Sequence, residues 1–135
     1  FLLSGRNVNN NMEKFVLNKI YSEIKKIKKR NTKILVAGIC YKAEVSDIRN
    51  SLPFSIFKKL KKDNSLKIIG YDPILNESLA NKLNIKKNFK FKNKGVDLIV
   101  ILVNHKILVK KFRNKKLFKN SKILDVFNFL KNEKN

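Results

Sequence analysis

The sequence predicts an α/β fold: a doubly wound parallel sheet of about five strands with helices on both faces, preceded by a long N-terminal helix. Short apolar runs alternate with stretches of helical period along most of the chain. The run at 34–37 and the one that follows Asp97, at 98–103, are continuously apolar, as strands are when helices cover both faces of a parallel sheet. Turn residues (Gly38, Asp72-Pro73) sit at the ends of the runs, where they separate elements.

Residues 1–11 hold Gly5 and an Asn cluster and read as irregular chain or a frayed helix end. From Met12 onward, Val16, Ile20, Ile24 and Ile27 recur at helical spacing, and Leu17 and Tyr21 widen the stripe. Lysines fill the other face as far as Arg30-Asn31, which predicts a helix packed on one side and solvated on the other. Ile34-Leu35-Val36-Ala37 is the first strand, closed by Gly38. Ser51 and Pro53 mark the N-cap and first turn of a second helix. Its apolar side is Phe54, Ile56, Phe57 and Leu60, and it ends near 62–64.

Residues 66–71 form the second strand, which Pro73 stops because proline has no N–H for a ladder. A short helix is expected over 76–83, with Leu79 and Leu83 turned inward. Phe89 and Phe91 alternate with lysines, which predicts a short edge strand. Residues 97–103 read as a central strand, 107–112 as a helix and 122–126 as the last strand. The expected strand order is 3-2-1-4-5, with 34–37 central. The sheet's switch point then lies between the first and fourth strands, beside Tyr41-Lys42 and Asn104-His105.

At 135 residues and 43% hydrophobic composition, the chain suits one globular domain and not a disordered segment. Lys+Arg 32 against Asp+Glu 10 gives a net charge of +22. The excess is mostly lysine, spread along the chain and mixed with Asn, Ile and Phe, all of which have AT-rich codons. A biased genome is a sufficient cause, and no nucleic-acid motif accompanies it, so nucleic acid is not the expected partner; a basic nucleic-acid-binding module, or an assembly domain that binds no ligand, is the alternative reading. The single cysteine, Cys40, excludes an internal disulfide and a CxxC metal site, and no metal is expected. It suits a reducing, cytoplasmic setting and reads as a packing residue; activation of its thiolate by Lys42 is the weaker alternative. No apolar run approaches the roughly 20 residues of a membrane span, so no membrane partner is expected. The chain starts at Phe1 without methionine, which is consistent with a piece of something longer.

The candidate site is the loop from Gly38 to the helix start at Ser51, which carries Tyr41, Lys42, Asp47 and Arg49. Strand, glycine, basic loop and helix N-terminus together make a phosphate site, because free N–H groups and the helix dipole favour an anion. The dinucleotide fingerprint G-x-G-x-x-G is not met, since only Gly38 is present, and the stretch is not a P-loop. Asp72, at the end of the second strand, could bond a ribose or cap its own turn. Asn104 and His105 follow the fourth strand at its ligand-facing end, although a lone histidine there is more often a loop or capping residue.

Gly38, Tyr41, Lys42, Asp47, Arg49 and Ser51 resemble the signature that opens the C-terminal domain of the UDP-glucose/GDP-mannose dehydrogenases. Tyr71-Asp72-Pro73 resembles that family's Y-D-P, and the 97–105 run resembles its D-x-x-V-I-x-T-x-H/W, with Val103-Asn104 departing from the usual Thr-Glu. Upstream, residues 6–12 resemble the R-x-V-N-x-x-M that ends the family's central helical region.

The resemblance implies a Rossmann-like domain in three parts: 1–31 as the end of the central helical region, 32–131 as a UDP-sugar-binding domain, and 132–135 as a polar tail. It implies a parent that oxidises a UDP-sugar C6 alcohol to a carboxylate with NAD, for surface polysaccharide synthesis. NAD and the catalytic cysteine would belong to missing N-terminal and central domains, and the parent would be a homo-oligomer. This piece would bind no cofactor and hold no catalytic residue. Tyr41, Lys42, Arg49 and Gly38 are the implied substrate-binding residues, with Asp72, Asn104, His105 and Asn128 as further candidates. Arg49 is left open between binding phosphate and pairing with Asp47. Phe127 stands where many members carry an arginine that contacts substrate, with Asn128 following, and Ala43 stands where many have proline.

Overall fold

Residue 34 and its neighbours form the centre of the sheet because they are apolar on both sides. In a computed structural model, which describes residues 2–90, 95–114 and 118–131, β1 (Thr32–Ala37) pairs in parallel with β2 (Leu66–Tyr71) on one side and β4 (Leu98–Ile101) on the other. β3 (Ile85–Lys86) extends the sheet beyond β2, and β5 (Lys122–Asp125) extends it beyond β4. The order is β3-β2-β1-β4-β5, as expected for a doubly wound sheet with its switch point between β1 and β4.

Alternate residues of β1 feed opposite faces, as the two-residue strand period requires. Ile34 and Val36 join one core with Val16, Ile20, Ile56 and Leu60 from the helices α1 (Leu2–Ile27) and α2 (Leu52–Lys61). Leu35 and Ala37 join the other with Tyr71, Leu108 and Phe112, the last two from α4 (Lys106–Arg113). The short α3 (Glu77–Leu83) buries Ala80, and Leu79 and Leu83 pack partly against the first core. Each fully buried Leu, Ile or Phe contributes about 1.5–3 kcal/mol, so these two layers hold the sheet between its helices.

Two expectations change. The N-terminal helix begins at Leu2, not near Met12, so Gly5 and the Asn cluster are helical. Helical continuity with the amphipathic stripe that follows overrides their weak propensity. The third strand is Ile85–Lys86 and not the Phe89 stretch; Phe91 lies outside the described residues. Ile85 pairs with Gly70, whereas the Phe89 ring packs on Tyr71 with centroids 6.4 Å apart.

The register places Ala37 level with both Tyr71 and Ile101. The three central strands therefore end together, and the segments after them, from Gly38, Asp72 and Leu102, share one edge of the sheet. Gly38 adopts φ +95°, a conformation open to glycine. Its N–H donates to the Tyr71 carbonyl at 2.9 Å.

Candidate functional site

Ser51 sets where the loop ends. Its hydroxyl accepts from the Phe54 N–H at 3.0 Å, as an N-cap does, and donates to the Ile39 carbonyl at 2.7 Å. The two ends of the 39–51 loop are thus tied together at the start of α2. Pro53 lies in the first turn, where a missing N–H costs nothing.

Asp72 holds the loop from the other side. It is fully buried. Its Oδ2 accepts the N–H groups of Ile39 (2.7 Å) and Cys40 (3.0 Å) and lies 3.0 Å from His105 Nε2. Its Oδ1 accepts the N–H groups of Ile74 (2.9 Å) and Leu75 (3.2 Å). Burial alone would raise its pKa; the bonds from His105, Ile39 and Cys40 outweigh burial and hold it at about 2. His105 is also fully buried, and its Nδ1 accepts the Glu44 N–H at 2.9 Å. Glu44 in turn accepts the Lys106 N–H at 2.6 Å and so caps α4, a role that His105, the N-cap residue, does not perform with its own side chain.

These bonds correct part of the sequence reading. Asp72 and His105 have no exposed surface to offer a ligand, because their polar atoms are spent on holding backbone. The loop amides expected to be free for phosphate are largely committed as well: Tyr41 N–H donates to the Asp47 carbonyl, and Ile39, Cys40 and Glu44 donate inward. Gly38 is a packing position against Val103, with its amide bonded to Tyr71.

Cys40 Sγ, Asp72 and His105 bring ligand atoms within 4.8 Å of one another. Those of Asp72 and His105 are engaged in the hydrogen bonds above, so a cation there would have to displace them. Burial, followed by the charge of Asp72, pushes the Cys40 thiol up to about 12, which keeps it protonated at neutral pH and rules out the activated thiolate.

Of the candidate residues, Tyr41, Lys42, Arg49, Asn104 and Asn128 are exposed. Tyr41 is 42% exposed, and Lys42 Nζ stands 5.6 Å from the centre of its ring, a cation–π contact. Arg49 forms a forked pair with Asp47, with Nη2 to Oδ2 at 2.8 Å and Nε to Oδ1 at 3.1 Å. The Arg49 bond lowers the Asp47 pKa to about 2, and Asp47 raises that of Arg49. Asn104 is exposed after β4 and Asn128 after β5, the latter at φ 59°. Phe127, in contrast, packs partly buried against the first core, its ring 5.6 Å from that of Phe129.

Sequence reasoning missed Glu44 as a structural residue. Its partners, His105 and Lys106, lie 61 and 62 positions away, and no local pattern marks such a contact.

The turn after β1 does not fit NAD. A pyrophosphate needs a glycine turn with free amides, and here the Gly38, Ile39 and Cys40 amides are donated to protein groups.

The profile described as "UDP-glucose/GDP-mannose dehydrogenase family, UDP binding domain" matches residues 35–132. A UDP-N-acetyl-D-mannosamine dehydrogenase of Campylobacter jejuni is 32% identical over 76% of this chain and 26% of its own length. One from Methanococcus maripaludis is 28% identical over 93% of this chain and 31% of its own. Among solved structures, the UDP-N-acetyl-mannosamine dehydrogenase Cap5O of Staphylococcus aureus superposes with a TM-score of 0.73 at 28% identity, covering 96% of this chain and 30% of that one. The chain therefore spans about a third or less of the length of these relatives.

Proposed function

The chain belongs to the UDP-glucose/GDP-mannose dehydrogenase family, and from that premise we propose that it is the nucleotide-sugar-binding domain of an NAD-dependent UDP-sugar 6-dehydrogenase. The observation that carries this reading is the match over residues 35–132, joined to an exposed Tyr41-Lys42 pair at the switch point of the sheet. Residues 32–131 form the binding domain, 1–31 the end of a central helical region and 132–135 a tail.

Lys42 is the mobile cation for the diphosphate or sugar hydroxyls, and the Tyr41 ring gives it a resting position. Arg49 is spoken for by Asp47 and shapes the loop. Asn104 and Asn128 are neutral hydrogen-bonding groups on the same edge. With a packed phenylalanine at 127, these amides are the natural partners for an uncharged sugar substituent. The relatives carry the name UDP-N-acetyl-D-mannosamine dehydrogenase, which makes an N-acetylhexosamine the favoured sugar.

NAD supplies the hydride acceptor elsewhere in the parent, together with the nucleophilic cysteine. The parent is cytoplasmic and homo-oligomeric and serves surface polysaccharide synthesis. The domain alone turns over nothing. Among the described residues, no helix is long and apolar enough to cross a membrane.

Amide mapping tests the assignment. Added UDP is expected to move the resonances of Tyr41, Lys42 and Asn104, while AMP leaves them in place. Shifts scattered over the lysines of α1 would contradict the reading and point to charge alone.

A further inference from the structure

His105 lies between two segments that move independently in an unfolded chain, and its two ring nitrogens are asked for opposite things. Nδ1 faces the Glu44 N–H at 2.9 Å. An amide only donates, so Nδ1 carries a lone pair and the proton resides on Nε2, which donates to Asp72 at 3.0 Å. The neutral Nε2–H tautomer is thus built into the fold.

The contacts of this imidazole bracket the ligand loop. Asp72 holds Ile39 and Cys40 just before Tyr41-Lys42, and His105 holds Glu44 just after. Glu44 sits at φ 63°, a left-handed conformation that a non-glycine residue keeps only when its surroundings insist. A second state is close at hand. The Glu44 carboxylate is 3.9 Å from Nδ1 and is now engaged with the Lys106 N–H at 2.6 Å.

We propose that His105 is a positioning residue for the Tyr41-Lys42 loop, and that adding a proton to its Nδ1 releases that loop by removing the acceptor of the Glu44 N–H. The imidazolium has donors on both nitrogens. Nδ1–H then turns from the Glu44 amide to the Glu44 carboxylate, which lets go of the Lys106 N–H and loosens the start of α4. The titratable groups facing the ring are Asp72 on Nε2, Glu44 on Nδ1 and Cys40 beside Asp72, with the exposed Lys106 next in the chain. Asp72 is already ionised and stays so. The proposal rests on the reading of Tyr41 and Lys42 as the ligand pair, and its structural half can be measured without a ligand.

His105 is the chain's single histidine, so its signals are unambiguous. Long-range proton–nitrogen correlation on the full chain reads its tautomer, and amide exchange reads Glu44, both across a pH series. The expected result is the Nε2–H tautomer at neutral pH and a Glu44 amide that loses protection at least about tenfold as the ring titrates. UDP affinity falls over the same range by about tenfold. In His105→Gln the side-chain amide offers an acceptor and a donor that do not titrate, so Glu44 protection and UDP affinity become flat with pH. His105→Ala loses the protection at every pH. An Nδ1–H tautomer, or a Glu44 amide indifferent to the titration, overturns the proposal, and the wild-type series decides this even if a variant fails to fold. Release of Glu44 with no UDP binding at any pH supports the latch and overturns the ligand reading instead.

Discussion

Gly38 and Val103 approach so closely that a side chain cannot stand between them: a Cβ on Gly38 would lie 2.7 Å from both the Cβ and the backbone N of Val103. The glycine closes β1 at the point where β4 also ends, and the contact sets the spacing of the two loops that flank the switch point. Gly38→Ala combines this overlap with a left-handed φ and is expected to cost about 2–4 kcal/mol. Urea unfolding should show a lower midpoint with an unchanged slope.

Asp72 makes the fold sensitive to acid. Its folded pKa of about 2 is depressed below the ordinary carboxylate value of 3.8. A depressed carboxylate contributes stability above its unfolded pKa and loses it as pH falls through the folded one, here between about pH 5 and pH 2. The contribution is about 2 kcal/mol. Asp72→Asn offers one acceptor oxygen and turns an NH2 toward amide donors, so it should destabilise by about 2–4 kcal/mol at neutral pH. Unfolding free energy measured against pH should be flatter in Asp72→Asn than in the wild type across that window.

The strands of the central sheet were legible because a strand covered on both faces must be apolar throughout, and 34–37 and 98–103 are. The N-cap of α2 was legible because Ser51 and Pro53 act locally. β3 was not, because a two-residue strand has no period to read, and the Phe-Lys alternation beside it imitated one. Within the candidate site, the motif singled out Tyr41 and Lys42, which the fold leaves exposed. The work of Asp72 and His105 was hidden, since their partners at 39, 40 and 44 are joined to them only by the tertiary fold.

Arg49 and Asp47 act as a unit if Arg49 shapes the loop. UDP affinity should then fall similarly in Arg49→Ala and Asp47→Asn, and the double variant should be no worse than either single one. A direct phosphate contact would instead make Arg49→Ala harmful and Asp47→Asn neutral or favourable. Calorimetric titration of the three variants separates the two.

The helix α1 is part of the packed structure, not an appendage. Val16 and Ile20 are fully buried, and the Tyr21 hydroxyl donates to Asp63 at 2.7 Å. Ile20→Ala is expected to cost about 2–5 kcal/mol, and Tyr21→Phe about 1 kcal/mol. Both should appear in a single cooperative thermal transition. A separate early transition for α1 would contradict its place in the core.

The most direct measurement is a calorimetric titration of the chain with UDP at moderate salt, beside Lys42→Ala, with AMP and a single-stranded oligonucleotide as controls. The expected result is saturable UDP binding that Lys42→Ala weakens at least about tenfold, with little response to AMP. Equal affinity of the two proteins for UDP, or oligonucleotide binding that outcompetes UDP and falls steeply with salt, would contradict a nucleotide-sugar site at Tyr41-Lys42.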